Sequence, residues 1–235
     1  MAENIANAIN EHFLDKNTCT YDTGSQSSYA LPLFLGIVPV HYRAQVLNNL
    51  IQKIVASDYH ITTGEYGMRP LLNVLSETGH CDMVYKMLTN DTPPSYKHFL
   101  NLGKTSLPET WSGEYSQNHC ILGHGDGWLY EYLAGIQNAG IAFDRIIIEP
   151  YFPEDIEWLS VELETPKGPV TEHWEQNEGL YSLTVTIPVN STATIILPTE
   201  KILSGDTPAN VTINIENHKT VLEVASGKYH FTFRK

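Results

Sequence analysis

Between Gly103 and His119 the chain reads Gly-Lys-Thr-Ser-Leu-Pro-Glu-Thr-Trp-Ser-Gly-Glu-Tyr-Ser-Gln-Asn-His. These residue types suit carbohydrate chemistry. A carboxylate such as Glu109, held in a cleft, takes a proton from an attacking water. Trp111 offers a flat apolar ring to the C–H face of a sugar, and Asn118 and His119 offer hydrogen-bonding groups to its hydroxyls. Glycoside hydrolysis ordinarily pairs two carboxylates, about 6.5–9.5 Å apart in an inverting enzyme and about 5–5.5 Å apart in a retaining one. Residue types alone leave the ordinary alternative open. On that view the segment is a polar loop, Glu109 faces water, Trp111 packs on the core, and His119 is a capping or core histidine.

Other constellations carry less chemistry. His119, Cys120, His124 and Asp126 match no common zinc spacing, so no metal site is expected. Gly123-His-Gly-Asp-Gly127 follows no strand and lacks the Walker Lys-Ser/Thr pair, which argues against a phosphate loop. No Gly-x-Ser-x-Gly nucleophile motif occurs. The loop from His60 to Glu65, dense in hydroxyls and glycine, is either a further ligand contact or a plain polar connection. Nothing in the sequence implies a cofactor.

The elements that must position these residues fall into two textures. Up to about residue 140, helical periodicity recurs with short connections. It marks residues 3–14, 27–36 (containing Pro32), 41–57, 68–78 and 80–90, then a short helix through Leu102 that starts at Pro94-Ser95. The longest apolar helix is expected over 118–136. Beyond about 140 the pattern becomes β. Strands are expected at 146–148, 158–164, 180–189, 193–197, 211–215, 220–224 and 229–233. Gly168-Pro169, Glu178-Gly179, Pro188, Pro198, Ser204-Gly-Asp206 and Ser226-Gly227 punctuate them. The expected organisation is a helical domain over 1–140 and a small antiparallel β-sandwich over 141–235.

Composition narrows the partners. Asp and Glu outnumber Lys and Arg 27 to 14, a formal net charge of -13. Such a surface repels nucleic acid and anionic lipid while tolerating a neutral ligand such as a carbohydrate. The apolar runs are short and contain proline, so no membrane span is expected. Three widely spaced cysteines, Cys19, Cys81 and Cys120, give no disulfide or zinc pattern, and the compartment stays open between cytoplasm and periplasm. Sequons stand at Asn90, Asn190 and Asn210.

Four segments, in order, resemble the bacterial α-L-rhamnosidases of glycoside hydrolase family 78. Gly24-Ser-Gln-Ser-Ser-Tyr-Ala-Leu-Pro-Leu resembles the family's small-polar-Gln entry into an apolar helix. His60-Ile-Thr-Thr-Gly, then Leu71-Leu-Asn-Val-Leu-Ser-Glu-Thr-Gly-His, is similar to its Thr-Gly loop and following helix. Pro94-Ser-Tyr and Gly103-Lys-Thr-Ser-Leu-Pro-Glu-Thr-Trp resemble its Pro-Ser-Trp/Tyr and Gly-Ala-Thr-Thr-x-Trp-Glu-x-Trp motifs. Ser116-Gln-Asn-His-Cys-Ile-Leu-Gly and Trp128-Leu-Tyr-Glu-Tyr-Leu-Ala-Gly-Ile complete the set.

The resemblance implies a six-hairpin glycosidase: an (α/α)6 barrel acting with inversion, followed by a C-terminal β-sandwich that Ile146-Ile-Ile-Glu-Pro150 would open. By position Glu109 matches the general base and His119 a sugar-contacting histidine, with Trp111 in the same motif. Pro108 stands where the family has an aromatic, and Lys104 where it has a small residue, which alters the expected cleft. No segment matches the family's general-acid motif. The expectation is therefore a partial barrel, a fragment inactive alone, with self-association through its exposed apolar faces. The alternative from another class is a non-catalytic carbohydrate-binding or assembly protein on the same scaffold, and a weaker one is another helical-barrel glycosidase.

Overall fold

The computed structural model describes residues 1–205 and 212–235, with the side chain of Ile121 left aside. The Asn210 sequon, Asp206 of the expected turn and Val211 of the expected strand lie outside the described residues. The chain forms two compact units, Met1–Asp126 and Gly127–Lys235.

The first unit is helical. Helices α1 (Ala2–Phe13), α2 (Gln26–Phe34), α3 (Val40–Ala56), α4 (Glu65–Glu77), α5 (Cys81–Leu88) and α6 (Tyr96–Asn101) follow in order. A two-stranded turn, β1 (Leu14–Asp15) with β2 (Thr20–Tyr21), separates the first two. Helix α2 packs on α3 and α4, and α4 on α5. The apolar stripes read from the sequence supply the interface: Val46, Leu50 and Ile54 of α3, and Met68, Leu71, Leu72 and Leu75 of α4, are buried. Each such side chain contributes roughly 1.5–3 kcal/mol. Gly67 sets the approach of α4 to α2, because a Cβ there would lie 2.2 Å from Ser27 Oγ. Helix α4 starts three residues before the expected 68, taking in Glu65 to Gly67.

The expected continuous helix over 118–136 is a broken path. A 3₁₀ turn (Cys120–Gly123), helix α7 (His124–Trp128) and a π turn (Leu129–Leu133) precede strand β3 (Ile136–Asn138). Glycines 123, 125 and 127 weaken the helix. At Gly135 it ends, where φ is +68° and a Cβ would lie 2.1 Å from the Glu149 carbonyl.

In the second unit, β4 (Arg145–Ile148), β5 (Trp158–Thr165), β6 (Gly168–Asn177), β7 (Leu180–Ile187), β8 (Thr192–Leu197), β9 (Ile202–Gly205), β10 (Thr212–Glu216), β11 (Lys219–Val224) and β12 (Gly227–Arg234) follow β3. They form two five-stranded sheets, ordered β10-β11-β8-β4-β3 and β5-β6-β7-β12-β9. Pairing is antiparallel except between β4 and β8, which run parallel. Alternation of buried and part-exposed residues is strict along β7, where Tyr181, Leu183, Val185 and Ile187 point inward. Those residues, Ile146 and Ile148 of β4, Ile195 and Leu197 of β8, and Phe231 and Phe233 of β12 share one core. The Phe152 ring contacts Trp174, Tyr181 and Phe233 at 5.0–5.6 Å between centroids. Ser204 and Gly205, expected as a turn, lie in β9, and the sequence pattern missed β3, β6 and β9.

Strand β6 carries an anomaly. Its inward positions are Val170, Glu172 and Trp174. Glu172 is 1% exposed and neither carboxyl oxygen has a hydrogen-bond partner; the Trp174 indole N–H is likewise unpaired. Burial in this apolar core pushes the Glu172 carboxyl well above its ordinary 4.5. In the unfolded chain it ionises near that value, while in the fold it keeps its proton to higher pH. The folded state therefore binds more protons, and stability falls as pH rises above the unfolded value until the folded carboxyl itself ionises. Glu172→Leu is expected to raise neutral-pH stability by about 1–3 kcal/mol and to flatten its decline with pH. Thermal unfolding of both proteins from acid to mildly alkaline pH checks this.

Candidate active site

The polar framework of the helical unit begins at Gln26, the first residue of α2, whose side chain is fully buried. Ser25 caps the helix, its hydroxyl accepting from the Ser28 N–H, which presents Gln26 to the loop after α3. There the Gln26 amide nitrogen donates to the His60 carbonyl at 2.8 Å and the Ser57 hydroxyl at 3.1 Å. Its amide oxygen accepts from the Thr62 N–H at 3.0 Å. His60 is held at both ring nitrogens, by the Ser57 carbonyl and the Thr92 hydroxyl, each at 2.8 Å. The His60–Glu65 loop is thus a fixed brace.

The brace reaches the Glu109 segment through Trp111. Its indole N–H donates to the Thr63 carbonyl at 3.2 Å, and Thr63 is 2% exposed. The ring stacks on Phe99 of α6 at 5.6 Å and 9° and meets Tyr96 edge-on at 5.4 Å. Ser95 caps α6 by accepting from the His98 N–H, and that cap places both aromatics. Tyr96 donates its hydroxyl to the Leu122 carbonyl, and burial raises its phenol far above the ordinary value, so it stays a donor. Gly125 leaves room for this ring, since a Cβ there would lie 2.8 Å from Tyr96. Of the glycines in the run 123–127, Gly125 thus serves packing. Trp111 is half-buried, one part anchored in this cluster and the rest open.

Glu109 itself is exposed, directly after buried Pro108. Its backbone N–H donates to the Ser116 carbonyl at 2.8 Å, and the His119 N–H donates to the Leu107 carbonyl at 3.0 Å. The segment is a small hairpin-like loop whose two arms carry Glu109 and Asn118-His119. One Glu109 carboxylate oxygen accepts from the Ser116 N–H at 3.4 Å, a long contact. Asn118 is exposed and His119 half-buried. Lys104 donates to the Gln117 side chain at 2.9 Å, and Gln117 donates in turn to the Gly113 and Tyr115 carbonyls. Lys104, through Gln117, thus fastens the loop's base to its tip. Among the described residues no cluster of three His, Cys, Asp or Glu side chains could hold a metal, and no helix is long and apolar enough to cross a membrane.

Four residues singled out in the sequence, Glu109, Trp111, Asn118 and His119, thus lie in one loop. The supports that residue-type reasoning missed are the Gln26 amide, the Thr63 carbonyl and the Tyr96–Gly125 contact. Gln26→Ala is expected to cost about 1–3 kcal/mol, because it leaves the part-buried His60 carbonyl and Thr62 N–H without their partner. The same change is expected to shift Trp111 fluorescence to the red as its anchor loosens. Calorimetric unfolding and emission spectra check both.

Comparison with known proteins places the chain in a family. Residues 1–133 match the model of the bacterial alpha-L-rhamnosidase 6 hairpin glycosidase domain, and residues 135–212 that of the bacterial alpha-L-rhamnosidase C-terminal domain. An alpha-L-rhamnosidase of Formosa agariphila is 33% identical over 211 residues, covering 84% of this chain and 23% of that protein. The crystal structure of Streptomyces avermitilis alpha-L-rhamnosidase complexed with L-rhamnose superposes with a TM-score of 0.86 at 29% identity, over 98% of this chain and 23% of that one. The alpha-L-rhamnosidase of Dictyoglumus thermophilum gives 0.87 at 29% identity, over 100% and 28%. The chain spans about a quarter of the length of these relatives. With more than half its length matched by the glycosidase-domain model, the chain belongs to the bacterial alpha-L-rhamnosidase 6 hairpin glycosidase family.

Proposed function

We propose that the helical unit forms part of a six-hairpin catalytic barrel that hydrolyses terminal α-L-rhamnosyl residues with inversion, and that Glu109 is its general base. The observation that carries this is the placement of Glu109: an exposed carboxylate, braced by main-chain hydrogen bonds on an arm opposite Asn118-His119, with a half-open tryptophan two residues on. In this role the carboxylate takes a proton from water as the water attacks the anomeric carbon. Trp111 faces the sugar ring, and Asn118 and His119 hydrogen-bond its hydroxyls. The rhamnose complex of the Streptomyces avermitilis relative supports a rhamnosyl substrate.

Inversion needs a second carboxylic acid to protonate the leaving oxygen. No segment of this chain matches the family's acid motif, so that group comes from another part of the barrel. The 235 residues alone are therefore expected not to turn over an aryl α-L-rhamnoside, and measurable turnover would refute this division of labour. In a protein carrying the complementary barrel segment, Glu109→Gln is expected to lower kcat by about 10²–10⁴-fold with KM little changed. An unchanged kcat removes Glu109 from the mechanism, and retained sugar binding with no activity in either protein favours a binding role for the scaffold.

A further inference from the structure

The sheet β5-β6-β7-β12-β9 turns its apolar side to the sandwich core, and its other side is mostly polar. Trp158, the first residue of β5, is 62% exposed on that outer side. Strand register places what surrounds it. Trp158 lies opposite Glu175, Glu175 opposite Ser182, and Ser182 opposite Thr232, so the four side chains form one row across the sheet. The next row runs Ser160, His173, Thr184 and His230. Hydrogen bonds already join side chains between the two rows and within the second. His173 Nε2 lies 3.0 Å from Glu175 Oε1, and the Thr184 hydroxyl 3.1 Å from His230 Nδ1.

Two shallow depressions mark this face. Glu157, Trp158, Glu175, Gln176, Asn177 and Glu178 line the first. Ser160, Thr171, His173, Thr184, Thr186 and Lys228 contribute to the second. Sheet faces without partners are ordinarily polar, and hydroxyls and histidines need no special explanation. An indole two-thirds exposed among carboxylate, amide and hydroxyl groups does.

We propose that this face is a second carbohydrate-binding site, with Trp158 as platform for a neutral pyranose ring and Glu175, with its neighbours in the first depression, as partners for the ring hydroxyls. The ligand class follows from the chemistry. Glu157, Glu175 and Glu178 repel phosphates, acidic polysaccharides and anionic lipid. A protein interface of useful strength needs a larger apolar centre than one ring supplies. A quaternary ammonium group is held by a cage of several rings, and the first depression has a single one. A flat ring beside carboxylate and amide groups suits a sugar, whose C–H face stacks while its hydroxyls find donors and acceptors. Glu175 keeps its Oε2 clear of the His173 contact. The site shares no residue with the Glu109 loop.

The test is nuclear magnetic resonance of the tryptophan indole N–H groups in the full 235-residue chain. Titration with L-rhamnose, methyl α-L-rhamnoside, D-galactose and D-glucose is expected to move the Trp158 signal to saturation in the millimolar range with at least one sugar. Trp158→Ala abolishes binding at this face without lowering the melting temperature, and Glu175→Ala weakens it about tenfold. Migration in native gels containing galactomannan separates recognition of a polymer from recognition of a small glycoside. The proposal is overturned if no sugar moves the Trp158 signal. It is equally overturned if choline moves it and sugars do not, or if Glu175→Ala leaves the affinity unchanged. Trp111 reports separately on the Glu109 loop, so loss of one site is not mistaken for loss of the other.

Discussion

A single buried side-chain amide sets the geometry on which the candidate loop of the helical unit depends. Gln26 spends both ends of its amide on one turn of chain, accepting from Thr62 and donating to His60 and Ser57. A buried amide is costly unless each group is satisfied, and here its satisfaction and the loop's shape are one requirement. From that turn the constraint passes through the Thr63 carbonyl to the Trp111 indole. Phe99 and Tyr96 then fix the plane of the ring. Glu109, two residues before the ring, has little freedom left in its backbone although its carboxylate is exposed.

The β-sandwich rests on a different principle. Its strands alternate, and the inward residues of both sheets pool into one aromatic and aliphatic core. Where a polar group intrudes, at Glu172, no partner answers it, and burial keeps the carboxyl protonated. Buried Gln26 and buried Glu172 thus differ in kind, although Ser191 and Thr220 of the sandwich are buried and hydrogen-bonded. The Gln26 amide is fully hydrogen-bonded and carries position to the candidate site. The Glu172 carboxyl stands unpaired and bears on stability.

Much of this was legible in the residues. The stripes Val46-Leu50-Ile54 and Leu71-Leu75 announced helices that the structure contains, and the alternation from Leu180 to Ile187 announced a strand. The four ordered motifs drew attention to Glu109, Trp111, Asn118 and His119, which the fold gathers into one loop. What the residues hid has physical causes. Strand β6 escaped because a glutamate occupies a core-facing position, which breaks the apolar alternation that marks a strand. The run from 118 to 136 looked like one helix because its apolar residues keep helical spacing. Three glycines and the tight approach of Gly135 to Glu149 interrupt the backbone beneath that pattern. Gln26 was visible only as part of a motif, since nothing in residue type distinguishes a buried amide from a solvated one.

The fastening of Glu109 to Ser116 and of Leu107 to His119 engages main-chain N–H and C=O groups. Bonds of that kind do not depend on which side chains lie between them. Residues 110–115 therefore form a tip that can drift in composition while the arms beneath it keep their registration. Trp111, tied to Thr63 by its own indole, and Gly113, at a φ of +77°, are exceptions. Lineages descending from such a loop are free to vary its outer rim while the carboxylate stays in place.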